Sequence, residues 1–201
     1  MFEGIDGAGK TTQIALLEDY LRERGRQVYR TAEPTESVSG GLLRDALSGL
    51  TPRSPCEMAA LFVLDRIHHN VNPVNGIEKM LAQGVDVICD RYYYSSLAYQ
   101  GSETDADWVR RMNLDCPEIR KPDLCIFLDL TPAQSMERIS RTRRTQEIYE
   151  TEERLTTVRG QFLQVIASLA CRDRIAVIDA SGGIDAVQDA VRAAVQDVLD
   201  R

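Results

Sequence analysis

The sequence predicts an α/β domain built on a parallel sheet, and three observations carry that expectation. Short apolar runs with β-branched character alternate with longer helical stretches along all 201 residues. The runs, such as LCIFL at 124–128 and RIAVI at 174–178, are apolar enough to be covered on both faces, which is the pattern of parallel strands. Near the start, a glycine-rich loop leads directly into a helical stretch.

Composition bounds the answer further. Hydrophobic residues make up 43% and charged residues 27%, which excludes disordered and collagen-like chains. A chain of 201 residues fits one compact domain, and no repeat or Gly/Ser linker divides it, so a single domain over 1–201 is expected. No apolar stretch approaches the ~20 residues of a membrane span, and the first residues lack a signal-peptide profile. The net charge of −7 argues against a nucleic-acid coat while leaving room for a local cationic site. Five cysteines, without C-x-x-C spacing, suggest neither a disulfide framework nor a zinc site. They are expected to be buried free thiols in a reducing compartment, the cytoplasm.

In chain order, Met1-Phe2-Glu3 is a strand stub ahead of the loop. A strand usually has about five or six residues, so either the sheet tolerates a stub or the native start lies upstream. Gly4-Ile5-Asp6-Gly7-Ala8-Gly9-Lys10-Thr11-Thr12 then fits G-x-x-x-x-G-K-[ST] in full. Glycines let successive N–H groups point into one concavity, and the next helix adds its positive N-terminus. Lys10 would reach the outer phosphates of a nucleoside triphosphate, and the Thr11 hydroxyl would join a Mg²⁺ shell. Only three residues are lysines, which gives Lys10 added weight. The helix the motif requires runs over Lys10–Arg24, with Ile14, Leu17 and Leu21 at helical spacing.

Strands follow at Gln27–Thr31, Val85–Cys89, Leu124–Leu128 and Arg174–Ile178, five in all with the stub. Helices are expected at Pro55–Gln83, Thr131–Arg141, Glu150–Cys171 and Ile184–Leu199. Thr131-Pro132-Ala133-Gln134 is a helix-start signature, with Thr as N-cap and Pro at the first helical position.

Asp90-Arg91-Tyr92 sits just beyond the third strand, where ligands bind in open α/β sheets. Asp90 suits a Mg²⁺–water shell and Arg91 a phosphate clamp, against the plain alternative of a surface ion pair. Phe62 and Arg66 stand four apart on a long helix, so an aromatic plane and a cationic fork share a face and could hold a nucleobase. Taken singly, Phe62 reads as core, Arg66 as a solvated helix residue, and His68 and His69 as solvated. Arg138, Arg141, Arg143 and Arg144 form a cluster that reads either as a basic helix end or as a lid over a triphosphate. An RNA-binding patch is weaker, because no aromatic residues are interleaved.

The chain resembles the thymidylate kinase family. The resemblance lies in EGIDGAGKTT at 3–12, EPT at 33–35, L-F-x-x-D-R at 61–66, DRY at 90–92, AYQ at 98–100, PDL at 122–124 and LDLTP at 128–132. It implies a three-layer P-loop NTPase fold with a central five-stranded parallel sheet and a mobile arginine-rich lid at about 141–150. The activity implied is transfer of a phosphoryl group from Mg²⁺-ATP to dTMP by a homodimer. Gly4 to Thr12 would hold ATP. Phe62 would stack on thymine and Arg66 bond a thymine carbonyl. Arg91 would hold the acceptor phosphate, and Asp6 would face the acceptor's sugar and phosphate. Tyr99 would lie beneath the deoxyribose, and Ser96 or Gln100 would border the base. Glu33, Pro34 and Tyr149 match acceptor-side positions of the family. Residues 5–8 of the loop hold no arginine, which in the family goes with a catalytic arginine in the lid, here Arg143 or Arg144 with Arg141 behind. The sequence departs from T-R-E-P by carrying Ala32 before Glu33, so Arg30 or Arg44 are the nearest replacements. A kinase for another nucleotide or nucleoside, and a P-loop switch, are the competing functions. The absence of N-K-x-D counts against a guanine-binding switch.

Overall fold

A computed structural model of the chain describes residues 1–142 and 151–200. They form five strands of a parallel sheet and nine helices, the α/β class expected. No described helix is long and apolar enough to cross a membrane. The fold divides into two compact units, Met1–Tyr20 with Pro122–Arg201, and Leu21–Lys121.

In the first unit, β1 (Phe2–Glu3) pairs with β4 (Cys125–Asp129), which pairs with β5 (Ile175–Asp179), all in parallel. The two-residue β1 is held beyond its own length. The Met1 amino group donates to the Leu124 carbonyl at 2.7 Å, and the Ile126 N–H donates to the Met1 carbonyl at 2.8 Å. The helices of this unit are α1 (Lys10–Glu23), α7 (Pro132–Thr142), α8 (Glu152–Leu169) and α9 (Ile184–Leu199). Phe2, Ile14, Ile126, Phe127, Phe162 and Val191 are buried here, with the Phe127 and Phe162 rings 5.5 Å apart. The helix start at Thr131 is present as a reciprocal cap: its hydroxyl donates to Gln134 Oε1 at 2.7 Å, and the Gln134 N–H points back at 3.4 Å.

The second unit pairs β2 (Val28–Ala32) with β3 (Asp86–Asp90), from Val28 opposite Asp86 to Ala32 opposite Asp90. Its helices are α2 (Val38–Leu47), α3 (Pro55–Val71), α4 (Ile77–Ala82), α5 (Tyr93–Glu103) and α6 (Ala106–Leu114). The helix expected over Pro55–Gln83 is two. Pro73 cannot donate and drives Asn72 out of helical geometry, to ψ 123°. The Asn72 side chain then accepts from the Val74 N–H at 2.8 Å and turns the chain into α4. Helices α2, α5 and α6 were not expected. The four full strands each run one residue later than their apolar runs suggest, which makes Asp90, Asp129 and Asp179 strand-terminal residues.

The cysteines are free, but only Cys89 and Cys125 are buried; Cys56 and Cys171 are exposed and Cys116 lies between, so burial of all five is corrected. The lid expected over 141–150 falls outside the described residues, apart from the end of α7 at 141–142, and with it Arg143, Arg144 and Tyr149.

Candidate active site

In the first unit the glycine-rich loop closes over the end of β1. Gly4, Gly7 and Gly9 all have positive φ, at 143°, 74° and 92°. A side chain at Gly4 is doubly excluded, since its Cβ would lie 2.7 Å from the Leu128 carbonyl oxygen. Lys10, at the first position of α1, is buried, and its ammonium donates to the carbonyls of Gly4 at 3.0 Å and Ile5 at 3.2 Å. The ammonium thus lies across the loop's own rim, among the backbone groups that form the concavity. Thr11 and Thr12 are exposed on the first turn, Asp6 is half-buried, and Ile5 and Ala8 face the interior. The Ser135 hydroxyl, from α7, donates to the Asp6 carbonyl and pins the loop from outside.

Arg138, on α7, reaches the same loop. Its Nη2 donates to the Ala180 carbonyl after β5 at 2.7 Å, and its Nη1 lies 3.9 Å from where a Gly9 Cβ would be. At the end of β4, Asp129 takes a two-pronged contact from Arg159 of α8, at 2.7 and 2.9 Å. That hydrogen-bonded carboxylate raises the Arg159 pKa.

In the second unit, Asp65 and Arg66 are both 1% exposed on α3 and grip the two sides of the Glu33-Pro34-Thr35 bend, whose Glu33–Pro34 bond is cis. Arg66 Nε donates to Glu33 Oε2 at 2.8 Å and Nη2 approaches the same oxygen at 2.6 Å. Arg66 Nη1 donates to Ser96 Oγ at 3.1 Å and to Asn113 Oδ1. Asp65 accepts from the Thr35 N–H at 2.8 Å and from the hydroxyls of Thr35, Ser39 and Ser37 at 2.6, 2.7 and 3.1 Å. Burial pushes the Asp65 carboxyl up, but these bonds outweigh it and hold it below the usual range.

Arg66 and His69 overturn their bland expectations. Neither is solvated: His69 is buried, with Nδ1 at 3.0 Å from Glu33 Oε1 and Nε2 at 2.8 Å from Thr31 Oγ1. Phe62, one turn before Arg66, is half-buried instead of sealed in the core. Of the two arginines considered for the Ala32 departure, Arg44 reaches the bend, donating to the Thr35 carbonyl at 2.5 Å, whereas Arg30 is exposed.

Beyond β3, Arg91 has φ 68°, a left-handed backbone that a non-glycine residue adopts at a cost of about 1–2 kcal/mol. Its Nη1 donates to Ser95 Oγ at 3.2 Å, and its Cζ lies 5.8 Å from the Tyr99 ring centre. The unit therefore brings Arg91 and Tyr99 together. Asp90 beside it has a buried Oδ1 without a hydrogen-bond partner among the described residues. Gln100 is buried on the same helix. Burial pushes the Tyr92 phenol well up, so it stays protonated, with its hydroxyl 3.0 Å from both Asn70 Oδ1 and the Arg120 carbonyl.

Asp65, Asn113 and the bracing serines Ser37 and Ser39 were missed. Asp65 had a signal, a second charge beside Arg66 in a stretch otherwise fit for burial. Asn113 had none, because only the tertiary fold brings α6 to Arg66.

A family model described as thymidylate kinase matches residues 2–191. A probable thymidylate kinase of Methanothermobacter thermautotrophicus is 37% identical over 194 residues, covering 95% of this chain and 90% of that protein. A thymidylate kinase of Akkermansia muciniphila is 39% identical over 197 residues, covering 97% and 89%. One of Bifidobacterium longum subsp. infantis is 37% identical over 205 residues, covering 98% and 85%.

Proposed function

The chain belongs to the thymidylate kinase family, and from that premise we propose that it transfers the γ-phosphoryl group of ATP to dTMP, giving dTDP and ADP, with the whole chain serving as one kinase domain. The observation that carries the reading is Arg91, a cation braced by Ser95 and Tyr99 on a backbone conformation that costs energy to keep. Strain of that kind persists where the surrounding structure over-determines it, as at a site that must present a side chain to a ligand.

The acceptor phosphate is already anionic, so no strong base is needed. The barrier to be lowered is the repulsion between two polyanions. Gly4 to Thr12 hold the ATP phosphates through backbone N–H groups, and Lys10 leaves the Gly4 and Ile5 carbonyls to pair with the outer phosphates. Arg91 clamps the acceptor phosphate with its planar fork, and Asp6 faces the acceptor. Phe62, Arg66, Ser96, Tyr99 and Gln100 hold the nucleoside, with Glu33 and Pro34 shaping the bend beside it. Arg143 and Arg144 supply cations to the transferring group, and Tyr149 borders the acceptor; these three lie outside the described residues.

Thr11 of the first unit and Asp90 of the second are each proposed as a group that would hold Mg²⁺ or one of its waters. The exposed Thr11 hydroxyl and the unpartnered Asp90 Oδ1 fit a hard cation or its waters. No cluster of three metal-ligating side chains exists among the described residues, which suits a cation that arrives with phosphate ligands. When bound, the ion neutralises charge on the phosphates.

A second copy of the chain is the proposed partner and the cytoplasm the proposed compartment. The first is supported by exposed Leu64 and Val71 on α3 and Val38, Leu42 and Leu47 on α2. The second is supported by five free cysteines.

The deciding experiment measures ADP release from Mg²⁺-ATP across a panel of nucleoside monophosphates and nucleosides. ADP formation that depends on dTMP is expected. Equal turnover without it, or a preference for another acceptor, rejects the proposal. For the lid, Arg143→Ala and Arg144→Ala are expected to lower kcat by more than about tenfold with little change in KM. Unchanged turnover in both singles and the double removes that role.

A further inference from the structure

Arg66 has five N–H donors, and all three of its nitrogens are engaged. Nε donates to Glu33 Oε2, Nη1 donates to Ser96 and Asn113, and Nη2 makes an ion pair with the same Glu33 oxygen at 2.6 Å. At most one Nη2 hydrogen can face that oxygen, which leaves the other. A single donor matches a single carbonyl oxygen of a base, but only if the guanidinium cannot rotate. Its plane is set chiefly by the Glu33 carboxylate, the one partner that engages two of its nitrogens.

What holds Glu33 is therefore the next question, and the answer is His69. A carboxylate can only accept, so the His69 proton sits on Nδ1, and in the neutral ring Nε2 accepts from the Thr31 hydroxyl at 2.8 Å. Thr31 lies inside β2, paired opposite Cys89 of β3, so the imidazole is tied to the hydrogen-bonded strand ladder of the unit. Glu33, Arg66 and His69 are each no more than 5% exposed. Without the imidazole, Glu33 Oε1 becomes a buried carboxylate oxygen lacking a donor, which is costly enough to turn the side chain or draw in water. Either change releases the Arg66 fork.

We propose that His69 is a positioning residue for acceptor recognition, holding Arg66 through Glu33 in the orientation that leaves one Nη2 hydrogen for a pyrimidine carbonyl. The inference rests on the reading of the chain as a dTMP kinase and names a residue that reading does not use.

The surroundings of His69 supply an unusual test. Its ring lines a cavity of about 510 Å³ shared with Thr31, Pro34, Thr35, Ser37 and Asn72. A His69→Ala variant would open the vacated space to that cavity, and free imidazole could occupy it. In the full-length protein, His69→Ala is expected to raise the KM for dTMP about tenfold or more, with kcat and the KM for ATP changed less than about threefold. Added imidazole is expected to restore the KM for dTMP saturably. Thr31→Val, close to isosteric, is expected to raise the same KM about threefold and carries the test should His69→Ala not fold. An unchanged KM for dTMP in the variants overturns the inference, and so does equal loss of kcat and ATP affinity that imidazole does not relieve. Wild-type protein that fails to phosphorylate dTMP overturns the functional reading itself, which separates the two failures.

Discussion

Arg91 is held in a left-handed backbone by the turn that leaves β3, and its guanidinium is braced by Ser95 and Tyr99. A residue kept at such a conformational cost for its charge should be felt in catalysis far more than in folding. Arg91→Ala is expected to lower kcat/KM for dTMP about a hundredfold, the ~3 kcal/mol of a lost contact to a charged group, while Tm stays nearly unchanged. Steady-state kinetics and a melting curve check both halves. Asp65 is the opposite case, a charge whose work is internal. Its folded pKa lies below the unfolded value of 3.8, so its ionisation favours folding at pH above that value. The contribution is lost as pH falls through the depressed folded pKa. Asp65→Asn should therefore melt below the wild type near neutral pH, and the gap should narrow as the pH is lowered below the ordinary carboxylate range. A gap that widens toward acid would refute the assignment. Both residues are charged and adjacent to an arginine or are one, and nothing local distinguishes their roles. Burial and partners do.

At the level of elements, α2 shows how closely a helix must approach the loop it supports. A Cβ at Gly40 would fall 1.8 Å from the Thr35 carbonyl oxygen and 2.8 Å from the Thr35 nitrogen. Both are backbone atoms that cannot turn aside, so Gly40→Ala must displace α2 or the Glu33-Pro34-Thr35 bend. It is expected to cost about 3 kcal/mol and to raise the KM for dTMP. Gly41, next in the same helix, has open space around its Cβ position. Gly41→Ala should stabilise by up to ~1 kcal/mol through helix propensity, a rise in Tm of about 2–4 °C for a chain of this size. Melting curves of the pair test the packing argument directly, because the two substitutions are chemically identical. The sequence showed two glycines in a row and no helix. It also placed each full strand one residue too early; in three of the four the missed last residue is an aspartate, which looks like loop. The backbone ladder disregards that: Ala32 pairs with Asp90, and Asp129 with Asp179, because the neighbouring strand extends that far.

For the whole molecule, exposed Leu64 and Val71 on α3 are the proposed contacts with a second copy. Sedimentation of the wild type is expected at twice the chain mass. Leu64→Glu and Val71→Glu together are expected to shift it to the monomer with helical content retained, since both side chains are more than 40% exposed. A monomeric wild type would reject the dimer. The phosphate loop, its following helix and the parallel α/β class were all determined by the sequence itself. Each depends on short-range pattern: glycines that permit positive φ, the apolar period of a helix, and short apolar runs between helices. Only the tertiary structure decided that Arg66 is sealed among Glu33, Ser96 and Asn113, and that His69 is buried behind Glu33. Those partners lie 30 to 47 residues apart in the chain, except that His69 follows Arg66 by one turn. A charged side chain reads as solvated until the groups that satisfy its hydrogen bonds are brought to it, and burial of the charge is tolerable only once they are all in place.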